Sequence, residues 1–228
     1  MTATTADRTE VTISRETAQM LAARELRRRV DPRMAAARGF DRHDAHAAHA
    51  LARDGRAGEA LACARLLDAG DAMAAGGFSA QRLFVVTRPL TLPGRLAEVD
   101  EVCVISGPRA AAALNALWRA LAREASSRGA AHLIVCEAVA FDPEVEALSP
   151  LKLALAARRA PDAWRMFPRR PAPRDPAGAA RAVPATPALE AALAAGALLA
   201  GEPSWDEDAG TAVFPFLIEI KGPTSCAF

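Results

Sequence analysis

Three histidines within seven residues, His43, His46 and His49, stand beside Asp41 and Asp44 in FDRHDAHAAHA, and this donor set has the chemistry of a metal site. The spacing argues against one. On a helix, positions i and i+6 point apart, and on a strand His46 faces away from His43 and His49, so three ligands converge only if the chain bends. No metal is expected. The acidic turn WDEDAG, from Trp205 to Gly210, lacks the ligand spacing of a calcium loop and reads as a turn.

A second chemistry is anion binding. Ser106-Gly107-Pro108 breaks an apolar run, and a helix opens directly behind it. The first N–H groups of a helix lack partners within it, and the small side chains of Ala110 to Ala113 would let a phosphate or a pantetheine arm approach them. An ordinary strand-to-helix connection has the same sequence, so the alternative stands open. A third candidate is the cluster Arg24, Arg27 and Arg28, which is either a solvated face or a contact for an acidic partner such as an acyl carrier protein.

Several elements must position these groups. Ser14 can cap a helix running through Arg29, with Met20, Ala23, Leu26 and Val30 on one side. Glu59 to Leu67, Arg82 to Thr87, Ala97 to Ile105, His132 to Val139 and Ala212 to Lys221 read as strands. Pro215 places the last of them at an edge or a bulge. Behind the Ser106 turn, Leu114, Leu117, Trp118 and Leu121 give a helix one apolar face, opposite Arg119 and Arg123. Phe141 to Ala160 reads as a turn and a helix, and Thr186 with Pro187 starts a last helix that Gly201 and Pro203 end. The order is α/β with a mixed central sheet flanked by helices.

The proline-rich stretch at about 161–187, with Trp164, Met166, Phe167, Arg169 and Arg170, is either a surface loop, partly disordered, or a flap over a lipid chain or membrane surface. We expect a flexible N-terminus over 1–13, one domain over 14–222 with that insertion, and a tail over 223–228. Formal net charge is +1, which gives the whole molecule no bias toward nucleic acid. Cys63, Cys103, Cys136 and Cys226 show no metal-binding or redox-motif spacing and read as reduced cysteines of a cytoplasmic protein, three of them inside apolar runs. Neither a secretion signal nor a spanning segment is evident.

Several blocks in order resemble the bacterial ornithine N-acyltransferases, which belong with the hemolysin-like and N-acyl-amino-acid synthases of the GNAT-type acyltransferase superfamily. These are Leu26-Arg27-Arg28-Arg29-Val30, Phe40-Asp41 with His49-Ala50-Leu51, Ala64-Arg65-Leu66-Leu67, Gly76-Gly77-Phe78-Ser79 and Leu92-Pro93-Gly94-Arg95-Leu96 with Glu98. Cys103-Val104, Leu117-Trp118-Arg119, Leu133-Ile134-Val135-Cys136 and Gly201-Glu202-Pro203-Ser204-Trp205-Asp206 continue the series. The resemblance implies a GNAT-like fold and transfer of a 3-hydroxyacyl group from acyl carrier protein to the α-amino group of ornithine or a similar amino acid, as in lyso-ornithine lipid synthesis.

On that resemblance Glu98 is the acid/base, and Arg65, with His49 and Asp44, binds the acceptor. Cys103, Val104 and Ile105 run beside pantetheine, while Ser106 and Arg109 receive its phosphate. No cofactor is bound; the co-substrate is an acyl thioester on acyl carrier protein or coenzyme A. A cytoplasmic location follows, with peripheral contact at the inner membrane as an option. The chain departs from the family at Glu101, where a basic residue is usual, and at Glu190, Ala191, Ala192 and Ala194. Such a reversal would repel a carboxylate substrate. The alternative is therefore a catalytically degenerate GNAT-fold protein that binds a partner or an acyl group.

Overall fold

The computed structural model describes residues 9–30 and 40–220. In chain order the elements are β1 (Thr9–Ser14), α1 (Thr17–Val30), β2 (Ala48–Asp54), β3 (Ala60–Asp68), α2 (Ala69–Ala74), β4 (Phe84–Val85), β5 (Arg95–Val104), α3 (Ala110–Ser127), β6 (Ala130–Ala140) and β7 (Glu146–Ala147). They continue with α4 (Ser149–Leu155), β8 (Phe167–Pro168), β9 (Arg181–Ala182), α5 (Pro187–Ala194), β10 (Leu198–Leu199), β11 (Ser204–Asp206) and β12 (Thr211–Glu219). The main sheet runs β1-β2-β3-β5-β6-β12-β10, with β11 also on β12. All its pairings are antiparallel except β5 with β6.

Alternation along the strands sorts side chains onto two faces. Ala50, Ala62, Ala64, Val99, Leu133 and Phe214 meet Leu114, Leu117, Trp118 and Leu121 of α3 and Leu189 of α5 in the larger core. On the other face, Leu51 and Cys63 pack under Ala23 and Leu26 of α1. This second face is the unusual one, because His49, Arg65, Glu98 and Asp100 are buried within it.

Two features of the strands shape that face. Arg65 pairs with Asp100 and Cys63 with Cys103, so β5 holds one more residue than β3 across the same interval, a β-bulge. Glu101 in this bulge has φ 53°, among the described residues the one non-glycine with positive φ. β5 also pairs with β6 only from Arg95 to Val99. Beyond Val99 the two parallel strands part, β5 staying on β3 and β6 staying on β12.

The strands expected near 59–67, 97–105, 132–139 and 212–221 are present with small shifts of their ends, as is the helix behind the Ser106 turn. Other expectations need correction. The N-terminal segment, expected to be flexible over 1–13, supplies the edge strand β1, paired residue for residue with β2; residues 1–8 lie outside the described part, as does the tail at 223–228. β2 itself was not anticipated. The run Arg82 to Thr87 gives only the two-residue β4, preceded by a 3₁₀ turn at Ser79–Arg82. The helix starting at Pro187 ends at Ala194, because Gly196 at φ 92° turns the chain into β10.

Pro215 is not at the sheet's edge. It pairs with Cys136 of β6 on one side, and on the other it lies where β10 ends and β11 begins. Its missing N–H therefore falls in the gap between two short strands, while its carbonyl accepts from Ala200 N at 2.8 Å.

The proline-rich segment is folded onto the body, its backbone bonded at Met166 to Ala200, at Arg169 to Leu83 and at Ala172 to Pro203. Met166 is buried, and Trp164 meets His132 edge-on at 5.2 Å. A Cβ added at Gly201 would collide with the carbonyl oxygen of Met166. Gly201→Ala is accordingly expected to cost about 1–3 kcal/mol, read as a lower urea midpoint at unchanged m-value.

Candidate functional site

The buried polar face is built around Arg65. Its Nε donates to Asp100 Oδ1 at 2.8 Å and Nη2 to Asp100 Oδ2 at 2.7 Å, a two-pronged pair across the ladder. Nη1 reaches Asp41 Oδ1 at 2.6 Å and Asp44 Oδ1 at 3.1 Å, and Nη2 reaches Asp41 Oδ2 at 3.1 Å. All five guanidinium N–H groups are therefore used. Burial works against the charge, but Asp100 and Asp41 hold it well above its ordinary pKa. Asp100 is held down to about 2: burial alone would raise it, and the Arg65 charge overrides burial.

The turn carrying Asp41 and Asp44 is held by its own bonds. Asp41 Oδ1 accepts from His43 N at 2.8 Å and Asp44 N at 3.1 Å, which curls the chain so that both carboxylates face Arg65. His49 lies beneath, its Nε2 3.0 Å from the Asp44 carbonyl oxygen and its Nδ1 3.4 Å from Arg27 Nη2. Burial lowers its pKa, so the ring is neutral at pH 7. The three histidines do not converge, since His43 Nε2 lies 3.1 Å from the Gly77 carbonyl oxygen. Among the described residues no group of three or more His, Cys, Asp or Glu is placed to hold a metal ion.

Glu98 is fully buried two residues before Asp100 on the same face. Its carboxylate accepts from Ser79 N at 2.6 Å and Ala80 N at 2.7 Å, the first N–H groups of the 3₁₀ turn that Gly76-Gly77-Phe78 leads into. Burial first, and then the Asp100 charge, push its pKa up to about 8 despite those two donors. Once ionised, near pH 8, a carboxyl poised there can take a proton from an ammonium.

Arg27 is not part of a basic helix surface, contrary to the expectation from the Arg24, Arg27 and Arg28 cluster. It is buried, 3.6 Å from both Asp44 and Glu101. Glu101, the charge reversal noted in the sequence, thus faces a cation supplied by α1. Arg28 and Arg29 do stay exposed, paired with Glu25 and Glu59.

Arg65 is also corrected. With every N–H engaged it has no donor left for an acceptor's carboxylate, and its position is that of a clamp holding the Asp41–Asp44 turn onto β3 and β5. Cys103 is half-buried, opposite Cys63, and Val104 and Ile105 follow it along the β5 arm that leaves β6. Ser106 is exposed in the turn before α3, whereas Arg109 pairs with Asp54 at the tip of the β2–β3 hairpin. No side chain caps the α3 N-terminus.

Sequence reasoning brought Glu98, Arg65, His49 and Asp44 to one place but missed Asp100 and Arg27. Both had signals. Asp100 is at i+2 from Glu98 on a strand, and Arg27 is at i+4 from Ala23 on a helix, so each shares the inward face of its neighbour.

A mixed sheet whose parallel central strands part beside a buried carboxyl, with a helix N-terminus at the end of one arm, is the GNAT fold, the architecture of acyl transfer from thioesters to amines. Residues 23–119 match the family model described as an acetyltransferase (GNAT) domain, and this match supports an acyltransferase. Two solved structures show the same fold at low sequence identity. The acyl-homoserine-lactone (AHL) synthase LasI is 13% identical, with 95% of this chain and 92% of that one covered and a TM-score of 0.52. FeeM, an N-acyl amino acid synthase from uncultured soil microbes, is 10% identical, with 96% and 93% covered and a TM-score of 0.50. No curated protein matches the sequence.

Proposed function

We propose that the protein moves a 3-hydroxyacyl or similar acyl group from acyl carrier protein to the α-amino group of ornithine or a related amino acid. The observation that carries this is the parting of β5 and β6 beyond Val99, one residue after Glu98. A thioester arm laid between the arms would meet the edge of the segment from Asp100 to Ile105 that faces away from β3, with its carbonyl next to Glu98. Ser106 and the uncapped N-terminus of α3 would receive its phosphate, with Arg109 available by exchange from Asp54. Glu98 would take the ammonium proton, and backbone N–H groups at the bulge would meet the thioester oxyanion.

Arg119 and Arg123 support a carrier-protein donor, for they stand exposed one turn apart on α3, the helix that opens at that turn. Arg27 and Arg123 do not form one surface, because α1 and α3 cover opposite faces of the sheet. No helix of the described residues is long and apolar enough to cross a membrane. We infer a cytoplasmic protein, with peripheral contact at the inner membrane left to the insertion, where Phe167 is 40% exposed beneath Arg88 and Arg165.

Mass spectrometry of lipids from cells expressing the protein, against an empty vector, tests this reading. A new acyl-ornithine or other acyl-amino-acid species is expected, and its absence from cells containing folded protein would favour the binding role. With purified components, kcat/KM for the carrier-bound donor is expected to fall several-fold between about 0.05 and 0.5 M salt, as steering by Arg119 and Arg123 is screened. A flat salt response would remove the carrier protein as donor.

A further inference from the structure

The sequence treats Cys63 and Cys103 as separate core residues forty positions apart. The structure sets them face to face. They are directly opposed in the β3–β5 ladder, both are free, and their sulfurs lie 3.2 Å apart. Opposed residues of an antiparallel pair have Cα atoms about 4.5–5.5 Å apart. A disulfide needs roughly 4.4–6.8 Å, so the strands already hold the geometry of the bond. Cys136, the other described cysteine, is on β6 opposite Pro215.

We propose that Cys63 and Cys103 form a reversible dithiol–disulfide site, closed by a hydroperoxide and reopened by a thiol reductant. One sulfur attacks the peroxide oxygen, the O–O bond breaks, and a sulfenic acid and one water (for hydrogen peroxide) result. The second sulfur then displaces the sulfenic oxygen as water. Two S–H bonds and one O–O bond are lost, one S–S bond is gained, and both thiol protons end on the departing oxygens.

The surroundings fit this chemistry. Cys103 is half-buried, which gives a small oxidant access, while Cys63 is wholly buried beside the partner that must resolve the sulfenic acid. The Cys103 thiol and then the Arg27 guanidinium lower the pKa of Cys63, which suits it to resolve the sulfenic acid as a thiolate, whereas the same contact raises the pKa of Cys103 and makes its attack on the peroxide the slow step. The bond would also close the bulge, because Glu101 and Val102 lie between the ladder pairs Cys63–Cys103 and Arg65–Asp100.

The test uses the full chain carrying Cys136→Ser and Cys226→Ser, treated with stoichiometric hydrogen peroxide, alkylated after denaturation and mapped without reduction. The expected product is one cross-linked peptide pair holding Cys63 and Cys103, two hydrogens lighter than the sum of its parts and released by dithiothreitol. Amide exchange of residues 100–103 should slow in the oxidised form. With Cys63→Ser added, Cys103 should instead accumulate as sulfenic or sulfinic acid. The proposal is overturned if both thiols alkylate fully after peroxide, if Cys103 reaches sulfinic acid while Cys63 stays free, or if the cross-link joins separate molecules. Should the double serine variant fail to fold, the same map on the unmodified chain decides, and pairing of either cysteine with Cys136 or Cys226 overturns it.

Discussion

Arg65→Met should lower stability by about 3–5 kcal/mol, the cost of leaving buried charges without their partner. Asp44 and Asp100 are 3% and 6% exposed, and Asp100 has Arg65 as its bidentate partner. Without the guanidinium they must face each other and Asp41 in a poorly solvated space, with Arg27 as the remaining nearby cation. Methionine fills most of the volume, so the loss reports charge and hydrogen bonding more than a cavity. Arg65→Lys should recover only part, since one ammonium cannot serve three carboxylates in a plane.

The pH dependence separates this from a generic packing defect. In the parent protein Asp100 titrates at about 2, against 3.8 in the unfolded chain, so its contribution is present above 3.8 and lost as pH falls toward 2. In Arg65→Met the burial that opposed ionisation is no longer overridden, and the Asp100 pKa rises above its unfolded value. The variant should therefore gain more stability than the parent as pH falls from neutrality toward 4, on top of the slope that Glu98 gives to both. Urea denaturation across that range measures both. A loss under about 1 kcal/mol, the scale of an exposed pair, would end the account of Arg65 as a clamp.

How far this site could be read in the sequence depended on which physical signal each residue carried. β6 and β12 are largely apolar runs and announce themselves, while β3 and β5 are apolar runs interrupted by the site's own Arg65, Glu98, Asp100 and Glu101. β2 does not, because AHALARD is rich in alanine, a poor strand former, and becomes a strand through partners on both edges. The bulge at Glu101 was invisible for a related reason: no glycine marks it, and its positive φ is imposed by the register between β3 and β5. Resemblance could suggest Glu98 and Arg65 as a functional pair. Only the fold shows that one is pinned by two backbone N–H groups and the other has no free donor.

Glu98→Gln should abolish turnover while the fold survives. The amide keeps the shape and one acceptor for Ser79 N and Ala80 N, yet it cannot take a proton at any working pH. A fall of about 10²–10⁴ in kcat is expected, the usual range for a positioned acid/base. The parent's rate should follow an ionisation near 8 that the variant lacks. Stability supplies a readout independent of activity. The folded pKa of about 8 lies above the ordinary carboxyl value of 4.5, so the folded state holds the extra proton between those values. This contribution is full below 4.5 and is lost as pH rises through 8, with a slope of at most about 1.4 kcal/mol per pH unit. Glu98→Gln should flatten that slope. If the slope persists, another group carries it; if turnover persists, Glu98 is only the cap of the 3₁₀ turn and the proton leaves by another route.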